Sequence, residues 1–99
     1  MNFSQQVYEI VKNIPKGRVM TYKQVAEKLN SKAYRAVGNA LKNNPDPKHI
    51  PCHRVVKSNR RIGGYFGHID DYLSKAKERR LKNEGVKIRN GKVEFGDIL

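Results

Sequence analysis

The chain has 99 residues, of which 21 are Lys or Arg and 9 are Asp or Glu, so its formal net charge is +12 and its pI is about 10.1. This length limits the chain to one domain, residues 1–99, and no apolar run approaches the roughly 18–20 residues of a membrane span. A domain this basic is drawn to polyanions, which makes nucleic acid the first candidate partner and an anionic membrane surface the second.

Two helices are predicted at the start of the chain. The first ends at the turn of residues 15–17, and its apolar side chains recur at helical spacing, at Phe3, Val7, Ile10, Val11 and Ile14. A short extended link, residues 18–20, follows. Thr21 and Gln24 predict a capping box for the second helix. The apolar stripe of that helix comprises Tyr22, Val25, Ala26 and Leu29.

A third helix is predicted from about residue 32 to residue 43, after a break at Asn30 and Ser31. Its predicted core face holds Ala33, Val37 and Leu41. Its other side carries Arg35 and Lys42, and the small residues Ala36, Gly38 and Ala40 are close by. Two short helices joined by a tight turn, the second one basic, are typical of a helix-turn-helix. An ordinary helical hairpin fits the same pattern, and it is the charge balance that favours DNA binding.

Two loops are predicted in the middle of the chain. The prolines of residues 43–47 exclude regular structure there, because proline breaks both helices and strands. Residues 58–67 form the second loop, which contains three glycines in GGYFG. Such glycines let backbone approach a ligand closely, although a flexible surface loop is their commoner meaning. Tyr65 and Phe66 favour a structured loop or a stacking surface.

The last third of the chain predicts a helix and a hairpin. The fourth helix, from about residue 69 to residue 83, has Asp70 and Asp71 in its first turn, as the helix dipole favours, and Gly85 is its C-terminal cap. Asn90 and Gly91 sit within an alternating stretch and predict a two-residue β-hairpin. The expected fold class is mainly α: a winged-helix-like domain with a helix-turn-helix and a short C-terminal β-hairpin.

Cys52 is the only cysteine, and it stands beside His53 in the run PCHRVV, residues 51–56. One cysteine cannot close an intramolecular disulfide or build a cysteine-rich zinc site, so the thiol is either packed or reactive. A small buried hydrophobe is one interpretation. A nucleophile is the other, because a base near a thiol favours the thiolate. Neighbouring side chains point in different directions, so a turn at Pro51 must bring the two together or a water must bridge them.

The run PCHRVV, with RAVG before it at residues 35–38 and GGYFG after it, resembles the O6-alkylguanine-DNA alkyltransferases, also called methylated-DNA–protein-cysteine methyltransferases. The likeness covers nearly the whole chain and includes IPKGRVMTY at residues 14–22, Asn44 with Pro45, and Glu84 with Gly85. PCHRV is highly specific, whereas RAVG alone means little. The order and spacing of all these segments favour a reactive thiol at Cys52.

The resemblance implies DNA repair in a single turnover. Such proteins bind the minor groove of double-stranded DNA through the second helix of a helix-turn-helix and rotate the damaged base out of the stack. They then transfer the alkyl group of O6-alkylguanine, and also of O4-alkylthymine, irreversibly to their own cysteine. No cofactor and no metal are expected. We expect a monomer in the cytoplasm, at the nucleoid or in a nucleus, where the thiol stays reduced, since the N-terminus lacks a signal-peptide layout.

The resemblance also assigns chemical roles to single residues. Cys52 is the nucleophile and permanent acceptor, and His53 acts through a water as the base that generates the thiolate. Glu84 holds the imidazole in the useful tautomer, as the orienting member of a triad does. Tyr22 donates a proton to the ring nitrogen of the departing guanine, and Asn44 shapes the loop beside the site.

Further roles concern DNA and the extruded base. Arg35 fills the gap left by the flipped nucleotide and offsets part of the unstacking cost. The small residues Ala36 and Gly38 let the helix lie close in the groove. The backbone of Val55 grips the base, together with Tyr65 and Phe66.

Three features depart from the family pattern. The chain starts almost at the DNA-binding domain, without the separate N-terminal domain that in some members holds a structural zinc. Tyr34 stands where many relatives have a small residue, so it either stacks on a base or restricts groove approach. The link at residues 68–73 is longer than usual, although Lys77 and Glu84 keep the expected spacing.

Two other functions fit part of the sequence. Alkyltransferase-like proteins bind alkylated DNA without repairing it, but they typically carry tryptophan in place of the cysteine, and this chain has no tryptophan. A winged-helix transcription factor explains the charge and the helices. It leaves the Cys52–His53 pair, Tyr22 and Glu84 without roles.

Overall fold

The structure, a computed structural model, describes residues 1–62 and 71–99, and of residues 71–74 it describes only the helical backbone. The described part is mainly helical, with α1 Phe3–Lys12, α2 Tyr22–Lys28, α3 Tyr34–Lys42 and α4 Asp71–Asn83. Its short strands are β1 Met20–Thr21, β2 Val55–Val56, β3 Ile88–Arg89 and β4 Lys92–Val93. The predicted fold class, with its helix-turn-helix and C-terminal hairpin, is confirmed.

The beginning of α2 is fixed by the predicted capping box. Thr21 Oγ1 accepts a hydrogen bond from the backbone N–H of Gln24 at 3.1 Å, and Gln24 Oε1 accepts one from the N–H of Thr21 at 2.9 Å. Asn2 and Gln5 cap α1 in the same way, which was not predicted. The first helix ends at Lys12, earlier than expected.

A left-handed residue ends α2 and creates the turn of the helix-turn-helix. Asn30 has φ of 53°, which asparagine tolerates better than most residues. Its N–H donates to Glu27 O, and the N–H of Ser31 donates to Ala26 O, so the last carbonyls of α2 are satisfied. The third helix starts two residues later than predicted. Ala33 is therefore exposed rather than buried, because it lies before the helix as its N-cap.

A parallel pairing of β1 with β2 was not predicted, and it positions the candidate site. Met20 pairs with Val55 and Thr21 with Val56. Because α2 begins directly after β1, and β2 directly follows the 3₁₀ turn Cys52–Arg54, this pairing holds the start of α2 beside the cysteine turn.

Two hydrophobic clusters form the described core. The first packs α1, α2 and α3 around a group that also includes Cys52 and Val55. The second joins α4 and the hairpin through Val19, Val56, Ile62, Leu81, Val86 and Val93. Successive residues of a strand face opposite sides, so β2 contributes Val55 to one cluster and Val56 to the other. The cysteine turn therefore lies at the junction of the two halves.

The C-terminal predictions of cap and hairpin are confirmed. Gly85 has φ of 94°, and its N–H donates to Lys82 O, while the N–H of Val86 donates to Leu81 O. This is a Schellman turn, and Glu84 lies between the last residue of α4 and Gly85. Asn90 and Gly91 both have positive φ, as a type I′ hairpin turn requires. No helix in residues 1–62 or 71–99 is long and apolar enough to cross a membrane.

Candidate active site

Cys52 is buried, with 6% of its surface exposed, at the start of a 3₁₀ turn that follows Pro51. Its backbone N–H donates to Ile50 O at 2.8 Å, and the N–H of Arg54 donates to Pro51 O at 2.9 Å. The turn brings no direct hydrogen bond between the thiol and the neighbouring imidazole, since His53 Nδ1 has no partner among the described residues. Of the two routes that the sequence left open, the direct hydrogen bond is not formed, and bridging by water stays a prediction.

The imidazole of His53 is bound to a carboxylate 31 residues away in the chain. His53 is 1% exposed, and its Nε2 lies 2.9 Å from Oε1 of Glu84. Burial alone raises the pKa of Glu84, but hydrogen bonds from Arg54 and His53 outweigh it, so the net direction is downward. An ionised carboxylate can only accept, and Nε2 therefore carries the proton. The second ring nitrogen, Nδ1, is left with its lone pair.

Burial lowers the pKa of His53, although the hydrogen bond to Glu84 opposes the effect. The imidazole is therefore neutral near pH 7, with Nδ1 able to accept a proton. Once protonated, the ring is stabilised by the carboxylate on its other side. Geometry and protonation state together fit a general base oriented by a carboxylate.

Arg54 is a residue whose role the sequence did not reveal. Its Nε and Nη2 donate to both oxygens of Glu84 at 3.0 and 2.7 Å, and its Nη1 donates to the carbonyl of Ile14 at 2.8 Å. A bidentate guanidinium–carboxylate pair fixes the plane of the carboxylate as well as its charge. Arg54 thereby ties Glu84 to the residues that follow α1. In the sequence, the only indication of a role for Arg54 was its position in the run PCHRVV.

Tyr22 is the first residue of α2 and packs against the cluster that contains Cys52. Burial raises the pKa of Tyr22, and negative charge at Cys52 raises it further. The phenol therefore keeps its proton through the neutral pH range and can donate it. This protonation state agrees with the predicted donor role.

Lys77 is a second residue whose role sequence reasoning missed. It is 1% exposed, and its Nζ donates to the carbonyl of Val55 at 2.8 Å and lies 6.0 Å from the centroid of the Tyr22 ring. Burial lowers the pKa of Lys77 to about 8, and negative charge at Cys52 opposes that effect. The sequence contained one signal for its burial. Lys77 precedes Leu81 by four residues, so the two side chains lie on the same face of α4, which is the buried one.

Replacing Lys77 by methionine is expected to change stability in a pH-dependent way. Because the folded pKa is about 8 and the ordinary value is 10.5, the unfolded state binds more protons between these pH values. Wild-type stability therefore rises over that window, and the gap between the two pKa values is worth about 3 kcal/mol. Lys77→Met lacks this gain.

The measurement is urea unfolding of both proteins across the same pH window. Both are compared in a Cys52→Ser background, which removes coupling to the thiolate. A stability difference that stays constant with pH would contradict the burial of a charged lysine.

Asn44 closes the loop that leads to the cysteine. Its Nδ2 donates to Ile50 O at 2.8 Å, and its Oδ1 accepts from the N–H of Asp46 at 2.9 Å. These bonds tie residue 44 to the segment directly before Pro51. The location fits the predicted role in shaping the loop.

The outer side of α3 carries the predicted DNA-binding residues. Tyr34 and Arg35 are exposed, and Ala36 and Gly38 are half-buried. In the part of the chain that the structure describes, Arg35 makes no hydrogen bond or ion pair. A methyl group at Gly38 would meet nothing within 4 Å, so internal packing does not require glycine there.

The predicted base-binding residues are only partly described. The N–H of Val55 donates to Cys52 O, and its carbonyl accepts from Lys77, which leaves one lone pair. Tyr65 and Phe66 lie outside the described residues. Within the described ranges, no three His, Cys, Asp or Glu residues are grouped to hold a metal ion.

Known proteins share both sequence and fold with the chain. Residues 2–86 match the family described as "6-O-methylguanine DNA methyltransferase, DNA binding domain". The methylated-DNA–protein-cysteine methyltransferase of Archaeoglobus fulgidus is 46% identical over 86 residues, covering 86% of this chain and 57% of that protein.

Two solved structures have a fold similar to that of most of this chain. S. pombe Atl1, in complex with damaged DNA containing O6-carboxymethylguanine, has a TM-score of 0.77 at 31% identity, over 93% of this chain and 86% of that one. Mycobacterium tuberculosis OGT in complex with DNA has a TM-score of 0.74 at 32% identity, over 86% of this chain and 50% of that one. This chain thus spans about half the length of the Archaeoglobus and Mycobacterium proteins. It belongs to the family of 6-O-methylguanine DNA methyltransferase DNA-binding domains.

Proposed function

We propose that this chain repairs alkylated DNA by moving the alkyl group of O6-alkylguanine, and also of O4-alkylthymine, onto Sγ of Cys52. The observation that carries the proposal is the pairing of His53 with Glu84 directly beside the only thiol of the chain. A structural thiol needs no neutral buried imidazole next to it whose Nδ1 has no partner among the described residues. A nucleophilic thiol needs such a base.

The reaction proceeds in one displacement. The thiol proton of Cys52 passes through a water to Nδ1 of His53, and Glu84 stabilises the imidazolium. The thiolate attacks the alkyl carbon, so an S–C bond forms as the C–O bond breaks. The guanine leaves with its O6 as a carbonyl, and its ring nitrogen takes a proton from Tyr22, which regains one from solvent. The thioether is stable, so each molecule reacts once and needs no cofactor.

The buried Lys77 supports this displacement. Its ammonium stabilises the thiolate in a site from which water is largely excluded, where charges interact strongly. It also holds the carbonyl of Val55, whose remaining lone pair binds the exocyclic amino group of the extruded guanine. Tyr65 and Phe66 complete the base pocket in this proposal.

Duplex DNA binds along α3 through its minor groove. Arg35 projects from the first turn of this helix and replaces the extruded nucleotide in the stack, with Tyr34 beside it. Glycine within a helix costs about 1 kcal/mol relative to alanine. Because a Cβ at residue 38 would meet nothing within 4 Å among the described residues, close approach of DNA gives a reason for that cost.

Two further properties belong to the proposal. Residues 1–99 act as one domain, and one chain without a second copy reacts with one lesion. The reaction requires a reduced thiol, which places it in a reducing compartment such as the cytoplasm or a nucleus.

Non-catalytic lesion binding is the second candidate function. The similarity to S. pombe Atl1 extends over most of both chains and specifically favours it. Against it stand Cys52 itself, its base His53 and the lack of any tryptophan. The two functions differ in one product, the alkylated cysteine.

Mass spectrometry after incubation with duplex DNA containing O6-methylguanine tests the proposal. We expect the protein to gain one methyl group on Cys52 and on no other residue. The Cys52→Ser variant is expected to bind the same duplex without gaining mass. Lesion-specific binding by an unmodified wild-type protein would favour the sensor, and equal binding to undamaged DNA without modification would favour a transcription factor.

A further inference from the structure

A second basic surface lies on the C-terminal hairpin, away from α3. Four cationic side chains line one concave surface there, and we call them the basic hairpin patch: Arg60, Arg61, Arg89 and Lys92. Asn90 and Glu94 complete the lining, so the local excess is three positive charges. Arg89 Nε lies 3.5 Å from Oε1 of Glu94, and this exposed pair only partly neutralises the patch.

Backbone pairing holds the patch together. Residues 58–67 were predicted to be a loop, but Arg61 forms an antiparallel bridge with Lys92. The N–H of Val93 donates to Arg60 O at 2.9 Å. Residues 60–61 thus pair with β4 of the hairpin through a single bridge and do not form a further strand. The backbone positions of the four cationic residues are therefore fixed relative to one another by sheet hydrogen bonds.

Arg60 is the most constrained member of the patch. Its Nη1 donates to Val93 O at 3.2 Å, and its guanidinium lies over the ring of Phe95, 3.7 Å from the centroid. Its φ of 71° is in the left-handed region, where a long side chain is an outlier and glycine has no penalty. Backbone strain of this kind is concentrated at functional sites in proteins. Phe95, on which Arg60 stacks, is itself 73% exposed.

We propose that the basic hairpin patch binds the phosphodiester backbone of duplex DNA outside the stretch that α3 contacts. The inference rests on the proposed function. Guanidinium groups match phosphate oxygens in a bidentate geometry, and stacking on an aromatic ring preorganises one of them here.

The two halves of the fold explain why this contact is separate from that of α3. The third helix packs in the first hydrophobic cluster and the hairpin in the second, with the cysteine turn at their junction. In this proposal, α3 contacts the duplex on one side of a lesion at Cys52 and the basic hairpin patch contacts it on the other. Contacts to phosphates carry no sequence information, which suits a protein that must act at any lesion.

The salt dependence of DNA affinity tests this contact. Arg60→Gly removes the charge and also relieves the backbone strain at this residue, because glycine adopts a positive φ without penalty. Combined with Arg89→Gln, it removes two cations from the patch without adding backbone strain. We expect the slope of log affinity against log salt to become shallower by about 2. The matched control, Lys12→Gln with Lys16→Gln, removes two exposed charges near the end of α1. We expect the control to leave the slope unchanged.

Three readouts keep the result interpretable. Thermal unfolding checks the fold of each variant. If the double variant unfolds, the single variant Arg89→Gln, which leaves Arg60 unchanged, replaces it, and its expected slope change is about 1. Reaction with a free alkylguanine base reports on the active site and is expected to stay at wild-type rate. Equal slope changes in the patch variant and its control, or no change in either, would overturn the proposed contact between the patch and DNA. Failure of wild-type alkylation would instead overturn the proposed function, and the binding slopes would still be measurable.

Discussion

Alkyl transfer to Cys52 is expected to slow about a hundredfold to ten-thousandfold when His53 is replaced by alanine, because such factors are typical of a lost general base. The buried Nδ1 is the only proposed acceptor for the thiol proton. Single-turnover rates with O6-methylguanine DNA, measured at saturating protein, give this factor directly. A wild-type rate in a folded variant would exclude His53 as the base.

The partner Glu84 gives the sharper test of the same step. Glu84→Gln keeps the shape of the side chain and an oxygen for Arg54 but removes the charge that stabilises the imidazolium. We expect a large rate loss in this variant as well. The double variant with His53→Ala is expected to be no slower than His53→Ala alone, since residues that act as a unit are not additive. Additive losses would mean that Glu84 acts on something other than His53.

Thermal unfolding is a necessary control for these variants. Removing one member of a buried charged pair leaves its partner uncompensated, which is costly for the fold. Arg54 is the member at risk, because it donates to both oxygens of Glu84. Glu84→Gln is therefore preferable to Glu84→Ala. Binding of lesion DNA is expected to be retained in both His53→Ala and Glu84→Gln.

Much of the fold was predictable because its signals are local. The Thr21–Gln24 capping box, the break at Asn30, the cap at Gly85 and the Asn90–Gly91 turn are each decided by residues a few positions apart. The structure confirms all four. Helix ends were predicted less accurately. Ala33, for example, has an apolar side chain, but it lies before the first turn of α3 and so does not reach the core.

The arrangement of the site was harder to predict because its contacts are distant in the chain. The β1–β2 pair joins two-residue strands about 35 residues apart, and strands so short show no periodicity. Cys52 and His53 are adjacent in the sequence, yet no direct hydrogen bond joins their side chains. The sequence assigned no role to Arg54 or Lys77, and only the fold brings them to Glu84 and to the carbonyl of Val55. Glu84 was identified through the family resemblance and not through periodicity.

Repair of duplex DNA is expected to slow about tenfold to a hundredfold when Arg35 is replaced by alanine, while reaction with a free alkylguanine base stays at wild-type rate. Flipping costs a few kcal/mol of unstacking, and the wedge is proposed to offset part of it. Each 1.4 kcal/mol lost from that offset slows the step about tenfold. The free base requires no flipping, so it reports only on Cys52 and its surroundings.

Lys42→Ala is the matched control for Arg35→Ala, because it removes one exposed charge from the same helix. Both variants are expected to weaken binding to undamaged duplex to a similar and small extent, since each removes at most one phosphate contact among many. Only Arg35→Ala is expected to slow repair at saturating DNA. Equal losses on duplex and free base would mean that Arg35 supports the active site or the fold. Equal repair by the two variants would mean that its role is charge alone. The expected pattern, slow on duplex and normal on free base, requires a side chain that acts on the DNA stack itself.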